Sequence, residues 1–376
     1  MPSDEQPPIH GDVLEAILSH MPLIHLIPVS RVSKSWTAGV SSALRTSNTT
    51  KPWLILHTLS NRHPHRTTAH AYDPDSNSWI EIRSPAIDDV STLRSSHSNL
   101  LYMISNSKLS LSFDPLHLTW HHALAPKVSR IDPVVAVVGR QVVIAGGAYD
   151  FEQDPLAVEV YDLRLQNWIK SNPMPEFFNG SASSMWLSVA SDDHLLFVME
   201  KSSGVTYSFD TSNNSWSGPY DLRPDHHVFY SVIGFISDSR LIVIGMLGEP
   251  EDVAGIKLWE VNCCSFECNE IGEMPANLVE DLKRHDTLIS TIEVAMAGNI
   301  AYITSSSAEE IMMCELFDGG CRWLNVVNTV ATRRSIMYRL VLTCAMVGVD
   351  ELERATRFEN RRFVVKRPQP QGSNSP

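Results

Sequence analysis

The stretch YDPDSNSW, from Tyr72 to Trp79, returns in altered form as FDPLHLTW (Phe113 to Trp120), YDLRLQNW (Tyr161 to Trp168) and FDTSNNSW (Phe209 to Trp216). Each copy has an aromatic residue, an Asp directly after it and a Trp seven positions beyond the aromatic. The aromatic markers are 41, 48 and 48 residues apart. Two weaker copies extend the series: WEVNCCSF, with Trp259 at the marker and Phe266 seven on, and LFDGGCRW, with Leu316 and Trp323. Periods of about 40 to 50 residues built from strands are the mark of β-propellers.

The flanking segments agree with that reading. PVVAVVG and QVVIAGG precede the third marker as two apolar runs separated by a short turn, and the same couplet recurs as SMWLSVA/HLLFVME, VFYSVIGFI/RLIVIGM and TIEVAMA/NIAYITS. Such runs, rich in β-branched residues and bounded by turn residues, predict strands 1 and 2 of a blade. The marker run is then strand 3, and the Trp opens strand 4. An Asp at the end of strand 3 can accept a hydrogen bond from the backbone two residues on, and Pro74 or Pro115 pre-sets the turn. The aromatic and the Trp are large anchors suited to packing between sheets. The repeat is therefore structural and not a catalytic site. The expected fold is mainly β, a six-bladed propeller over residues 52–349. An apolar strand at 337–349 is expected to enter blade one as its innermost strand. Residues 350–376 read as a basic, largely disordered tail.

Residues 1–8 read as a disordered leader, and residues 9–48 have a different character. DVLEAILSHMP places Val13, Leu14, Ile17, Leu18 and Met21 at helical spacing, and Pro22 breaks the run. LIHLIPVSRVSKSWTAGV continues with Leu23, Leu26, Val29, Val32, Trp36 and Val40 on a recurring apolar stripe. Three short helices in so few residues make a marginal core, so this unit is expected to lean on a partner.

This segment resembles an F-box. Leu14, Ile17, Leu18 and Pro22 match the first half of the family pattern, and Leu26, Val29, Arg31, Val32, Lys34 and Trp36 match the second. Ile9-His10 stands where the family has Leu-Pro. The repeats resemble kelch repeats, with a Gly doublet, a loop, then the aromatic-Asp pair and the Trp. Only IAGGAYD keeps the doublet, at Gly146 and Gly147. Together the two parts are similar to the plant F-box/kelch-repeat proteins. That resemblance implies a Skp-type adaptor partner, and through it cullin and RING subunits of a ubiquitin ligase. It implies adaptor binding through Leu14, Ile17, Leu18, Pro22, Leu26, Val29, Val32 and Trp36, and capture of a target protein by the propeller. A propeller scaffold outside any ligase is the alternative.

Composition narrows the rival classes. The net charge is −13, so a nucleic-acid-binding role for the whole chain is not expected. No apolar run reaches the 20 or so residues that span a bilayer, and the acidic first ten residues carry no apolar segment, so a cytoplasmic or nuclear location is expected. All six cysteines lie beyond residue 262 and none forms a C-x-x-C pair; Cys263, Cys264 and Cys268 have poor ligand spacing, and free thiols are the expected state. His63, His65 and His70 cluster in one loop segment. A kelch-type copper oxidase needs a Cys, a Tyr and two His converging on the axis, and no such set stands out. No cofactor, metal or catalytic residue is expected.

Loop lengths point to a target-binding face. The 1–2 and 3–4 turns emerge on one face of a propeller and are short here, whereas the 2–3 and 4–1 connections on the other face are long. These include Gly146 to Ala157, Gly245 to Gly255, Lys170 to Gly180 and Glu270 to Asp286. Long loops on a rigid scaffold concentrate binding residues. They carry Glu152, Asp154, Glu249, Glu251, Asp252, Glu280 and Asp281, with Phe151, Phe177 and Phe178 as apolar anchors beside them. The expectation is an acidic rim that steers a partner with a basic segment.

Overall fold

The computed structural model describes residues 11–46, 51–60, 67–82, 92–96, 100–116, 118–148, 154–250, 252–283, 291–305, 310–327, 338–348, 351–352 and 364–366. Three helices come first: α1 (Asp12–Ser19), α2 (Leu23–Ser30) and α3 (Lys34–Thr46). Pro22 caps α2 at φ −55°, which ends the chain path of α1 and presets the next helix. Six antiparallel sheets follow. Blade one holds β1 (Trp53–Ser60), β2 (Thr67–Asp73) and β3 (Ser78–Ile82). Blade two holds β4 (Arg94–Ser96), β5 (Leu100–Ile104), β6 (Lys108–Ser112) and β7 (His121–Leu124). Blade three holds β8 (Val134–Val138), β9 (Gln141–Ala145), β10 (Val158–Asp162) and β11 (Asn167–Lys170). Blade four holds β12 (Leu187–Ser191), β13 (Leu195–Glu200), β14 (Val205–Asp210) and β15 (Ser215–Asp221). Blade five holds β16 (Val228–Ile236), β17 (Arg240–Glu249), β18 (Asp252–Val261) and β19 (Cys268–Glu273). Blade six holds β20 (Ile292–Ala297), β21 (Ile300–Ser305), β22 (Ile311–Phe317) and β23 (Gly320–Val326).

Blade one is completed from the far end of the chain. β24 (Tyr338–Ala345) pairs with β1 from Trp53↔Ala345 to Ser60↔Tyr338, taking the inner place that β4, β8, β12, β16 and β20 take in the other blades. The six inner strands neighbour one another round the axis, so no inner edge is left open. β25 (Val364–Lys366), within the segment after residue 350, adds a fifth strand against β3.

The repeat acts as a junction between blades. Tyr72↔Trp79, Tyr161↔Trp168 and Phe209↔Trp216 are directly opposite pairs, with ring centroids 5.3, 5.1 and 4.9 Å apart. Each indole N–H then donates to the preceding blade: Trp168 to the Leu124 carbonyl at 3.0 Å, Trp216 to Asn172 at 3.4 Å and Trp79 to Val327 at 2.9 Å. The Asp tightens the 3–4 turn: Asp73 accepts from the Asp75 N–H at 3.0 Å, Asp162 from Arg164 at 2.8 Å and Asp210 from Ser212 at 2.8 Å. Asn77, Gln166 and Asn214, five residues past each aromatic, adopt positive φ.

Three copies depart from the pattern. Phe113 and Trp120 fall just outside β6 and β7, in a wider turn. In blade five the pair opposite is Val261↔Cys268, and Asn262 accepts from the N–H groups of Cys264 (2.9 Å) and Ser265 (3.2 Å). The marker position there is Val261 rather than Trp259, because Asn262 supplies the turn-capping oxygen. In blade six Leu316 faces Cys321, not Trp323, because Phe317↔Gly320 closes a two-residue turn.

A fourth helix, α4 (Ala276–Lys283), lies between β19 and β20, so the described residues hold one helix more than the three expected. By its sequence the segment reads as a long loop. Its Leu278, Val279 and Leu282 sit at helical spacing and are buried among residues of blades five and six, including Ile256 and Ile303. The N-terminal helices pack in the same manner on blade one. Leu14, Leu18, Leu23, Leu26, Val40 and Ala43 share one apolar cluster with Trp53, Ile55, Ala69, Ala71, Ile80 and Ile82. Leu116, in the 3–4 turn of blade two, and Val347, just past β24, also belong to it. Those two positions place the helical unit toward the face of the 1–2 and 3–4 turns.

Candidate functional site

Two regions gather the side chains singled out by the sequence. The first is the helical unit. Glu15 on α1 accepts from the Ser42 hydroxyl of α3 at 2.7 Å, and Thr37 of α3 donates to the Ser30 carbonyl of α2 at 2.6 Å. A Cβ at Gly39 would meet Leu18 at 3.1 Å, so that glycine sets the close approach of α1 and α3. Within this frame the eight sequence-derived adaptor residues separate. Leu14, Leu18 and Leu26 are buried in the shared core; Pro22, Val29 and Trp36 are half-buried; Ile17 and Val32 are exposed at 45% and 63%. Val13, 64% exposed, joins Ile17. With Asp12, Ala16, His20 and Met21 they line an open, largely apolar groove along the outer side of α1. α1 thus has two apolar sides, one turned into the core shared by α3 and blade one and one left facing solvent.

The second region is the face of the 2–3 and 4–1 connections. Phe151, Glu152 and Glu251 lie outside the described residues. Asp154 is exposed and accepts from the Leu156 N–H at 2.9 Å. Glu249 and Asp252 stand opposite each other, exposed, at the tip of the β17–β18 hairpin. That segment is extended strand rather than the long loop expected, because Val253 and Ile256 continue the buried side of the sheet and Gly248, at φ 102°, accommodates the bulge where the register shifts. Glu280 on α4 pairs with Lys283 at 2.9 Å, and Asp281 is the next residue along the helix. Phe177 is 44% exposed, whereas Phe178 is fully buried, edge-on to Tyr207 at 5.4 Å, and is core rather than a surface anchor. The described acids thus fall in separate places, Asp154 on blade three, Glu249 and Asp252 at the tip of blade five, and Glu280 and Asp281 on α4 between blades five and six.

The sequence reading did not single out what lies between them. At this face the central channel opens into a cavity of about 290 Å³, lined among others by Arg94, Met185, Lys201, Tyr230 and Glu293. The Lys201 ammonium donates to the carbonyls of Ser184 at 2.8 Å and Met185 at 3.1 Å. Burial pushes it down to about 8, against the opposing pull of Asp132 and Glu293. The one signal for this site was the Gly doublet. Gly146 and Gly147 have φ 68° and 66°, and a Cβ at either would stand 2.4 Å from backbone, at Ala182 and Pro133. Only glycine lets the 2–3 loop of blade three meet the two 4–1 loops there. The Gly147 N–H donates to the Ala182 carbonyl at 2.6 Å, and the Ser184 N–H to that of Asp132 at 3.0 Å. Buried Arg130 fixes the same corner through Gly146, the Ala157 carbonyl (3.1 Å) and Glu159 (3.2 Å).

Among the described residues, Asp225, His226 and His227 form the one group of metal-type side chains whose ligand atoms lie within 4.8 Å of one another. They are consecutive on a loop, and both histidine Nδ1 atoms approach Asp225 Oδ1, at 3.2 and 3.0 Å. His63 and His65 lie outside the described residues, and the six cysteines are free thiols.

A helical unit with an outward apolar groove, set ahead of a closed six-bladed propeller, defines an F-box protein of the propeller-bearing class, and the F-box domain model matches residues 3–43. Over 372 residues the chain is 41% identical to an F-box/kelch-repeat protein of Arabidopsis thaliana, covering 94% of each. The chain belongs to the F-box/kelch-repeat proteins. Solved structures described as 6-phosphogluconolactonases, from Bacteroides uniformis and Bacteroides fragilis, align over 77% and 78% of this chain and 99% of theirs. Their TM-scores are 0.42 and 0.41 at 13% identity, values that carry no argument about activity.

Proposed function

We propose that the protein is the substrate-recognition subunit of an SCF-type ubiquitin-protein ligase. Its helical unit docks on a Skp-type adaptor, and through it on cullin and RING subunits. Its propeller holds a target protein, raising the target's concentration near the ubiquitin-charged enzyme. The chain itself contributes no catalytic group. The observation that carries this reading is the groove of Val13 and Ile17, apolar side chains left on the outer side of α1 while Leu14 and Leu18 are buried in the core that the helices share with blade one.

The test is co-purification with a Skp-type adaptor. Removing two exposed apolar contacts worth about 1.5–3 kcal/mol each should lower adaptor affinity at least tenfold in the Val13→Ser, Ile17→Ser variant. Both side chains are solvent-exposed, so the melting temperature should stay within a degree or two. Undiminished adaptor binding in that variant would remove the groove from the interface. A wild-type chain that retains no adaptor would leave the propeller scaffold as the reading.

A further inference from the structure

We infer that the channel mouth on the 2–3 and 4–1 face is a docking pocket for an acidic segment of a partner protein, its carboxylate seated between Arg94 and Lys201 and a neighbouring apolar side chain resting on Met185 and Trp186. The inference rests on the reading of the propeller as the capture module and names the chemistry it captures.

Three observations carry it. The first is charge. The cavity lining holds two cations, Arg94 and Lys201, against one carboxylate, Glu293, with Asp132 outside the lining also acting on Lys201, in a chain whose net charge is −13. The Tyr230 ring lies 6.0 Å from the Lys201 ammonium. Two of that ammonium's three donors are engaged by the Ser184 and Met185 carbonyls, both neutral acceptors. Its lowered affinity for the proton reflects lost solvation that a bound carboxylate would replace.

The second is the ledge. Met185 and Trp186 are 64% and 53% exposed. The segment bearing them is tied down on both sides: the Ser184 hydroxyl donates to Asp132 at 2.7 Å, and the Lys201 N–H donates to the Trp186 carbonyl at 2.9 Å. Large apolar side chains held out on pinned backbone lose little freedom on contact, and Trp is among the residues that dominate interfaces. The third is position. The pocket opens at the face opposite the 1–2 and 3–4 turns toward which the helical unit packs. Its occupant is therefore a ligand distinct from whatever the α1 groove binds.

The probe is a display library of random twelve-residue peptides selected on the full chain, followed by titration of the strongest peptide made synthetically. Selected sequences should share an Asp or Glu within a few residues of an aromatic or large aliphatic side chain. Affinity should fall at least tenfold when that acid becomes an amide in the peptide. The same fall is expected in the Arg94→Gln protein and in the Trp186→Ser protein. Arg94 and Trp186 are partly or largely exposed, so these variants should keep the wild-type melting temperature; Lys201→Met is a secondary variant because its ammonium also ties down the Ser184 and Met185 carbonyls. Failure to select any peptide, selection of Lys- and Arg-rich peptides, or binding indifferent to both Arg94→Gln and Trp186→Ser overturns the proposal. Selection of basic peptides would move the site to Glu249 and Asp252 of blade five. Adaptor binding measured on the same samples separates the two readings. Peptide selection without adaptor binding defeats the ligase assignment alone, and adaptor binding without peptide selection defeats the pocket alone.

Discussion

The helical unit and the propeller solve the same problem, burying apolar surface, by different means. A blade has two apolar faces and hands each to a neighbour, so the ring needs only to close. Three short helices have too little surface to close on themselves. Here they finish their core with blade one: Leu14, Leu18 and Leu26 belong to one cluster with Ile55, Ala71 and Ile80. The difference teaches how to read exposed apolar residues on a small unit. On α1, sequence spacing assigns Leu14, Ile17 and Leu18 alike to a partner, yet two of them already have one inside the chain.

The largest effect should follow from opening the ring. A chain ending at residue 334 lacks β24 and leaves β1 with an unpaired inner edge. It also removes Val341, Leu342 and Cys344 from the clusters that join blade one to its neighbours. Such a chain should be insoluble or molten, without a cooperative thermal transition; a melt within a few degrees of full length would show that the blades do not depend on closure. Next comes Leu14→Ala. A Leu that is 2% exposed in a mixed core should cost about 2–5 kcal/mol when truncated, read by denaturant titration. Hydrogen exchange should accelerate in α1 and α3 and also in β1 and β2, because the cluster spans both regions. Faster exchange confined to the helices would mean that the unit's core is its own.

Fold class was legible because the repeat is a physical device rather than a mere resemblance. An aromatic, a turn-capping Asp and a Trp that reaches back to the previous blade must keep their spacing, so the period survives even where the Gly doublet is lost. Its phase is less robust. In blade five Asn262 takes the capping role and shifts the marker by two, and a Val–Cys pair in place of aromatic–Trp hides the shift. α4 was missed because Pro275 and two acids made its segment look like a loop, although Leu278, Val279 and Leu282 were helically spaced. The channel-mouth pocket was not legible at all. Arg94, Lys201, Tyr230 and Glu293 come from four different blades, and no local pattern connects residues brought together only by the closing of a ring.

A third effect sets blade one apart by pH. His57 on β1 is fully buried, and burial holds it down to about 4 from an ordinary 6.5, with His70 adding and the Pro115 backbone opposing. The folded protein thus carries His57 neutral, while the unfolded chain takes up a proton below about 6.5. Stability from this residue is present above 6.5, declines as pH falls, and is fully lost below about 4, a total of about 3 kcal/mol. Denaturant midpoints measured from pH 7 to 4 should fall more steeply in wild type than in His57→Leu. Parallel curves would place the acid sensitivity elsewhere.

The smallest effects grade the blade junctions themselves. Trp→Phe at a marker position keeps most of the ring and removes the N–H that reaches the preceding blade. Trp79 is 1% exposed and donates at 2.9 Å across the ring closure, Trp168 is half-buried and donates at 3.0 Å, and Trp216 is half-buried and donates at 3.4 Å. A net hydrogen bond contributes about 0.5–1.5 kcal/mol, so Trp168→Phe should lie near the middle of that range. Trp79→Phe should exceed it, because its buried site is also left with unfilled volume. Trp216→Phe should lie at the bottom, since its bond is long and water can replace it. The order 79, 168, 216 in denaturant midpoint is what the geometry requires. If the three variants lose stability equally, the indole–carbonyl bond is not what joins the blades, and the aromatic pair within each sheet must carry the repeat instead.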